Sequence, residues 1–155
     1  MEKWPADLSA EALAQWVEDH FQGTLMGHLR MRVVAVSKEL AVVELPFHPG
    51  ITTPSGHVHA GGMVSLADTS ATFAAMASSQ RMVTLEEMPV AVSISTQIVG
   101  NVQEGTLRSE STVAHPGRTL MAVTTRITAD GGRLLALVNS SHFIRPSDPH
   151  SGLKD

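Results

Sequence analysis

Apolar and polar positions along the chain change period several times, and each change marks an element. From Asp7 to Phe21, the residues Leu8, Leu13, Trp16, Val17 and Phe21 recur at spacings of three to five, which predicts an amphipathic helix. Asp7 or Ser9 can cap it, although Ala12 stands where a capping box after Ser9 would have Glu, and Gly23 is a fitting stop. Trp4 and Trp16 are expected to pack this helix over the rest of the fold. Val-rich runs over 29–37 and 40–47 read as two strands joined by a short polar turn. The Pro- and Gly-containing stretch 48–58 reads as a loop.

Residues 61–78 then form a run that is apolar nearly all round, which predicts a helix covered on most sides. A polar connection, 79–88, leads to four strand-like runs at 90–99, 106–115, 118–129 and 133–144. The turns between the last three are Pro116-Gly117 and Asp130-Gly131-Gly132. Four consecutive strands with short connections predict an antiparallel meander. The expected class is α+β: a curved antiparallel sheet wrapped around one long central helix, with an N-terminal helix beside it. One domain over 1–145 is expected, followed by a polar tail at 146–155 that frays.

Composition narrows the function classes. At 155 residues the chain is long enough for one real core. A net charge of −4, with Lys and Arg scattered, argues against a nucleic-acid binder, which needs a basic face. The absence of cysteine excludes a thiol nucleophile, a disulfide frame and Cys-based zinc sites. No basic start followed by an apolar run marks a signal peptide, and the longest apolar segment, interrupted by Asp68, is too short to span a bilayer. A cytoplasmic protein without a membrane or nucleic-acid partner is expected.

Asp68 is the residue that the pattern does not explain. It lies in the apolar helix among Leu66, Ala67, Ala71 and Phe73, where a carboxylate is costly to bury without a partner or a purpose. Satisfaction by hydroxyls or backbone at a helix contact is one reading; catalysis is the other. Thr72 stands one turn further on the same face, and Ser65 borders it. His57 and His59, with His48 near, alternate as metal ligands can, but no further ligand stands at a zinc-like spacing. No metal or redox cofactor is expected. The methionines, Met63, Met76 and Met121 among them, suit core filling or an apolar pocket.

The order of elements, with Gly56-x-x-His59-x-Gly61-x4-Leu66-x-Asp68 opening the long helix, resembles the hotdog-fold thioesterases, and most closely the phenylacetic-acid-degradation (PaaI) type. Gly105-x-Leu107 and His115-x-Gly117-Arg118 extend the resemblance over nearly the whole chain. It implies hydrolysis of acyl-CoA or aryl-acyl-CoA thioesters by a homodimer or homotetramer. By the same resemblance, Asp68 matches the catalytic carboxylate, Thr72 a hydroxyl that some members use, and Ala60 the residue, usually Gly, whose N–H polarises the carbonyl. His59 matches the motif histidine that shapes the loop. Thr53 stands where many members carry Asn or Gln, the clearest departure.

The residues themselves carry parts of that chemistry. Unpaired N–H groups at Ala60 and Gly61, at a helix start, suit a developing oxyanion. Asp68 can act as general base or attack directly. Thr72 can hold a water or bond back to the helix carbonyl four residues earlier. His59 can pack the loop as well as shape the site. Residues 60 and 68 are separated by roughly 12 Å of helix, too far for both to serve one carbonyl. Two copies about a two-fold axis can bring them together, so a site at a dimer interface is expected. His115 and Arg118 are either solvated turn residues or contacts for a CoA phosphate. The rival readings are a non-catalytic acyl-CoA-binding protein, for which Thr53 leaves room, and a dehydratase, whose His-and-acid motif this chain lacks.

Overall fold

The computed structural model describes residues 5, 9–79 and 84–144. Asp7, Trp4 and the tail at 146–155 therefore lie outside the described residues. Helix α1 spans Ala10–Phe21, and Ser9 caps it by accepting a hydrogen bond from the Ala12 N–H. Leu13 and Trp16 bury its inner face. A single helical turn, α2 (Leu25–His28), follows in the stretch between Gly23 and the strand predicted from residue 29, where no element was expected. Its four residues are too few to show a period. Strand β1 covers only Arg32–Val36 of the predicted 29–37, because Arg30 turns the chain at φ 58°. Strand β2 (Ala41–Pro46) pairs with it antiparallel.

The central helix α3 runs Ala60–Ser78. Strands β3 (Val90–Ile98), β4 (Thr106–Pro116), β5 (Leu120–Thr128) and β6 (Leu134–Phe143) complete one six-stranded sheet. Its order is β1-β2-β4-β5-β6-β3, all pairs antiparallel. The four-strand meander expected from the sequence is thus corrected: only β4, β5 and β6 form one. Strand β3 pairs with β6 at the far edge, and residues 99–105 carry the chain back across the sheet end. Seven extended residues span roughly 23 Å, more than the three strand spacings required. A short connection therefore did not mean neighbouring strands.

Helix α3 lies in the curve of the sheet. Met63, Leu66 and Phe73 meet Leu45, Leu107, Ile127, Leu135 and Val138 in one core. Polar side chains inside that contact are satisfied: Ser70 on α3 shares hydroxyl hydrogen bonds with Ser109 and Ser111 of β4, and Ser111 with Thr125 of β5 at 2.7 Å. Helix α3 is not covered all round, however. Val64, Ser65, Asp68, Thr69 and Thr72 are only half-buried, and they recur at helical spacing as one open stripe.

One buried group sets a limit on acid stability. His142 on β6 is fully buried, with Met121 and Ala91 as its register neighbours. Its Nε2 lies 3.0 Å from the Ser140 hydroxyl, and its Nδ1 has no partner among the described residues. Burial disfavours the imidazolium and pushes the pKa down from 6.5 to about 4. Below pH 6.5 the unfolded chain binds a proton that the folded chain refuses, so stability present above that pH is lost as pH falls towards 4. The full loss is about 3 kcal/mol. Urea midpoints at pH 7 and pH 4.5 are expected to differ strongly in the wild type and much less in His142→Gln. An equal loss in both would remove this histidine as the cause.

Candidate active site

The start of α3 is built by its loop. His59 precedes the helix at φ −66°, ψ 137°, and its Nδ1 accepts the Gly61 N–H at 2.9 Å. An imidazole that accepts at Nδ1 carries its ring proton on Nε2. A Cβ on Gly61 would lie 3.0 Å from the same ring nitrogen, so the close approach favours glycine there. The Gly62 N–H donates to the His59 carbonyl at 2.9 Å. Of the two amides expected to polarise a carbonyl, Gly61's is therefore engaged. The Ala60 N–H has no acceptor among the described residues, and Ala60 is exposed.

The loop is held from three sides. The His59 N–H donates to the Ile51 carbonyl at 2.8 Å. His48 accepts from the Gly50 N–H at Nδ1 and donates from Nε2 to the Leu29 carbonyl. Asn101 grips Val58 twice: its Oδ1 accepts the Val58 N–H at 3.1 Å and its Nδ2 donates to the Val58 carbonyl at 2.9 Å. Nothing in the sequence signals Asn101, whose partner is 43 residues away. Thr53 is bonded within its own loop. Its hydroxyl lies 2.8 Å from Ser55 Oγ and donates to the His57 carbonyl at 3.3 Å, closing the 53–57 turn.

Asp68 occupies the middle of the open stripe. Its Oδ1 is buried and has no hydrogen-bond partner among the described residues. Burial raises its carboxyl pKa above the ordinary 3.8. The neighbouring hydroxyls divide clearly. Ser65 and Thr69 donate to the carbonyls of Gly61 and Ser65, each at 2.8 Å. Thr72 makes no such back-bond among the described residues, so its hydroxyl is open beside Asp68. Asp68, Thr69, Thr72, Phe73, Phe21 and Met88 line a cavity of about 270 Å³. A second cavity, of about 390 Å³, lies at the helix start against His59, Gly61 and Ser65. Leu25 borders both.

The other predicted residues stand apart within one chain. Arg118 lines a cavity with Ser78, Ser79 and Met121 at the far end of α3, ten residues beyond Asp68 or roughly 15 Å along the axis. His115 is exposed at the end of β4. A larger cavity, about 750 Å³, lies among His57, Gln103, Asp130 and Arg133, and Asp68 is not in its lining. Among the described residues no helix is long and apolar enough to cross a membrane.

A long helix cradled by a curved six-stranded antiparallel sheet, with a further helix at the N-terminal end, is the hotdog fold. The thioesterase-superfamily model matches residues 55–136, more than half the chain, and the chain belongs to that family. It is 28% identical over 134 residues to a putative esterase of Deinococcus radiodurans, covering 84% of this chain and 82% of that one. The fold is that of a thioesterase from Haemophilus influenzae, with a TM-score of 0.78 at 19% identity over 95% of this chain and 98% of the other. The E. coli PaaI protein of the phenylacetic acid degradation operon matches with a TM-score of 0.73 at 18% identity, over 88% and 94% of the two chains.

Proposed function

We propose that the protein hydrolyses acyl-CoA thioesters as a homodimer, at two equivalent sites that each combine Asp68 and Thr72 of one protomer with Ala60 and its loop from the other. One observation carries this reading: a half-buried carboxylate whose enclosed Oδ1 has no partner among the described residues stands one turn from the Thr72 hydroxyl, on the same helix as an open amide roughly 12 Å away. The edge strand β3 supports pairing between copies. Among the described residues one side of it has no strand neighbour, and Val90, Val92, Ile98 and Val99 are exposed along it and just beyond its end. The half-covered stripe of α3 is a second face suited to a partner.

In the proposed step, Thr72 holds a water and Asp68 removes its proton as the oxygen attacks the thioester carbon. The carbonyl oxygen, now negative, accepts the Ala60 N–H at the positive end of the helix. Collapse breaks the C–S bond, and the proton on Asp68 goes to the leaving thiolate. The products are a free acid and CoA. A raised carboxyl pKa makes Asp68 a stronger base than a surface aspartate. Water is the only co-substrate needed.

The test is release of free thiol from acetyl- through palmitoyl-CoA and from benzoyl- and phenylacetyl-CoA. Turnover with at least one of these is expected. Tight acyl-CoA binding with no thiol release would favour a binding protein instead, with the Thr53 hydroxyl closed into its turn as the reason. The pH profile adds a check. Protonating Asp68 removes the base, so kcat/KM is expected to fall on the acid side with an inflection above 3.8. A flat profile down to pH 4 in folded enzyme would contradict the assignment.

A further inference from the structure

The cavity at Asp68 has walls that the catalytic step does not use. Phe21 comes from the end of α1, Leu25 and Met26 from α2, and Met88 and Pro89 from the approach to β3. These five surround the carboxylate with apolar surface, and Asp68 is the only charged group in the lining. The Phe21 and Phe73 rings stand 6.1 Å apart at 60°, and two methionine side chains complete the lining. Such a set suits an uncharged apolar group, with methionine sulfurs placed near aromatic rings.

Resting on the reading of Asp68 as the base, we infer that this cavity holds the acyl group and limits it to a compact one, with Met88 and Leu25 setting the limit. The scale is set by volume. An apolar cavity of roughly 150 Å³ takes a benzene ring, and a water needs roughly 30 Å³. The 270 Å³ found here takes the attacking water, the thioester carbonyl and an acyl group of about eight carbons. A medium-length chain fits, as does a ring with a short linker. A long tail runs past Met88 into water, and a carboxylate on the acyl group meets the charge of Asp68. Leu25 is 61% exposed, large and apolar, and stands at the rim of this cavity, where a larger side chain reduces the space.

The test is a chain-length series of acyl-CoAs from acetyl to palmitoyl, with phenylacetyl- and succinyl-CoA beside it. In the wild type, kcat/KM is expected to rise about fourfold per added methylene and to stop rising near about eight carbons. Phenylacetyl-CoA is expected to match octanoyl-CoA, and succinyl-CoA to fall at least about tenfold below butanoyl-CoA. Met88→Ala moves the break to longer chains. Leu25→Trp, at an exposed position that leaves the fold alone, moves it to shorter ones. A rise that continues to palmitoyl-CoA, or a break that neither substitution moves, overturns the inference even when Asp68→Asn abolishes turnover. Turnover that survives Asp68→Asn overturns the base reading instead.

Discussion

Asp68→Asn is expected to lower kcat by about 10²- to 10⁴-fold while raising the stability of the fold. The first effect follows from removing the base. The side chain keeps its size, so the cavity and the helix stripe remain. The second follows from the same burial that makes Asp68 useful. Its folded carboxyl holds a proton more tightly than the unfolded one, so at neutral pH the ionised form is kept in the fold at a cost. Asn carries no charge, and the cost disappears. Activity and urea midpoint are therefore expected to move in opposite directions. A variant that loses both would have lost its fold, and one that keeps its activity would remove Asp68 from the chemistry.

Ala60→Pro is expected to lower kcat by about 10²- to 10³-fold with little change in stability. Ala60 is the first residue of α3. Proline is well tolerated at that position, because its missing N–H has no helical acceptor. The residue before proline must be extended, and His59 already is, at φ −66° and ψ 137°. The substitution thus deletes one hydrogen-bond donor and leaves the helix intact. Circular dichroism and the urea midpoint are expected to match the wild type. Full activity in Ala60→Pro would mean that another donor holds the oxyanion.

Much of this was readable in the chain before any coordinates. The 60–78 helix, its histidine-led start and the misfit of Asp68 all come from local pattern. So do β4, β5 and β6, whose turns carry proline and glycine. What was not readable depends on contacts distant in sequence. The position of β3 at the sheet edge follows from its pairing with β6, and the length of the 99–105 connection allows either neighbour. Helix α2 is one turn long and leaves no period. Ser65, Thr69 and Thr72 look alike in sequence, yet only the first two bond back to the helix. The engagement of the Gly61 N–H follows from the rotamer of His59, which no spacing encodes. Arg118 lies one helix end away from the helix start because the β4–β5 turn meets the C-terminus of α3. The grip of Asn101 on Val58, and the walls that Leu25 and Met88 give to the cavity at Asp68, likewise come only from the folded chain.

The central claim is a site shared between two chains, and subunit complementation tests it most directly. Asp68→Asn and Ala60→Pro are each expected to be nearly inactive alone. Mixed, unfolded and refolded together, half of the dimers carry one of each. In such a dimer one site has both an intact Asp68 and an intact Ala60, and the other has neither. Recovery of about one quarter of wild-type activity is the predicted result. A mixture no more active than its parts would contradict the shared site and place the whole reaction within a single chain.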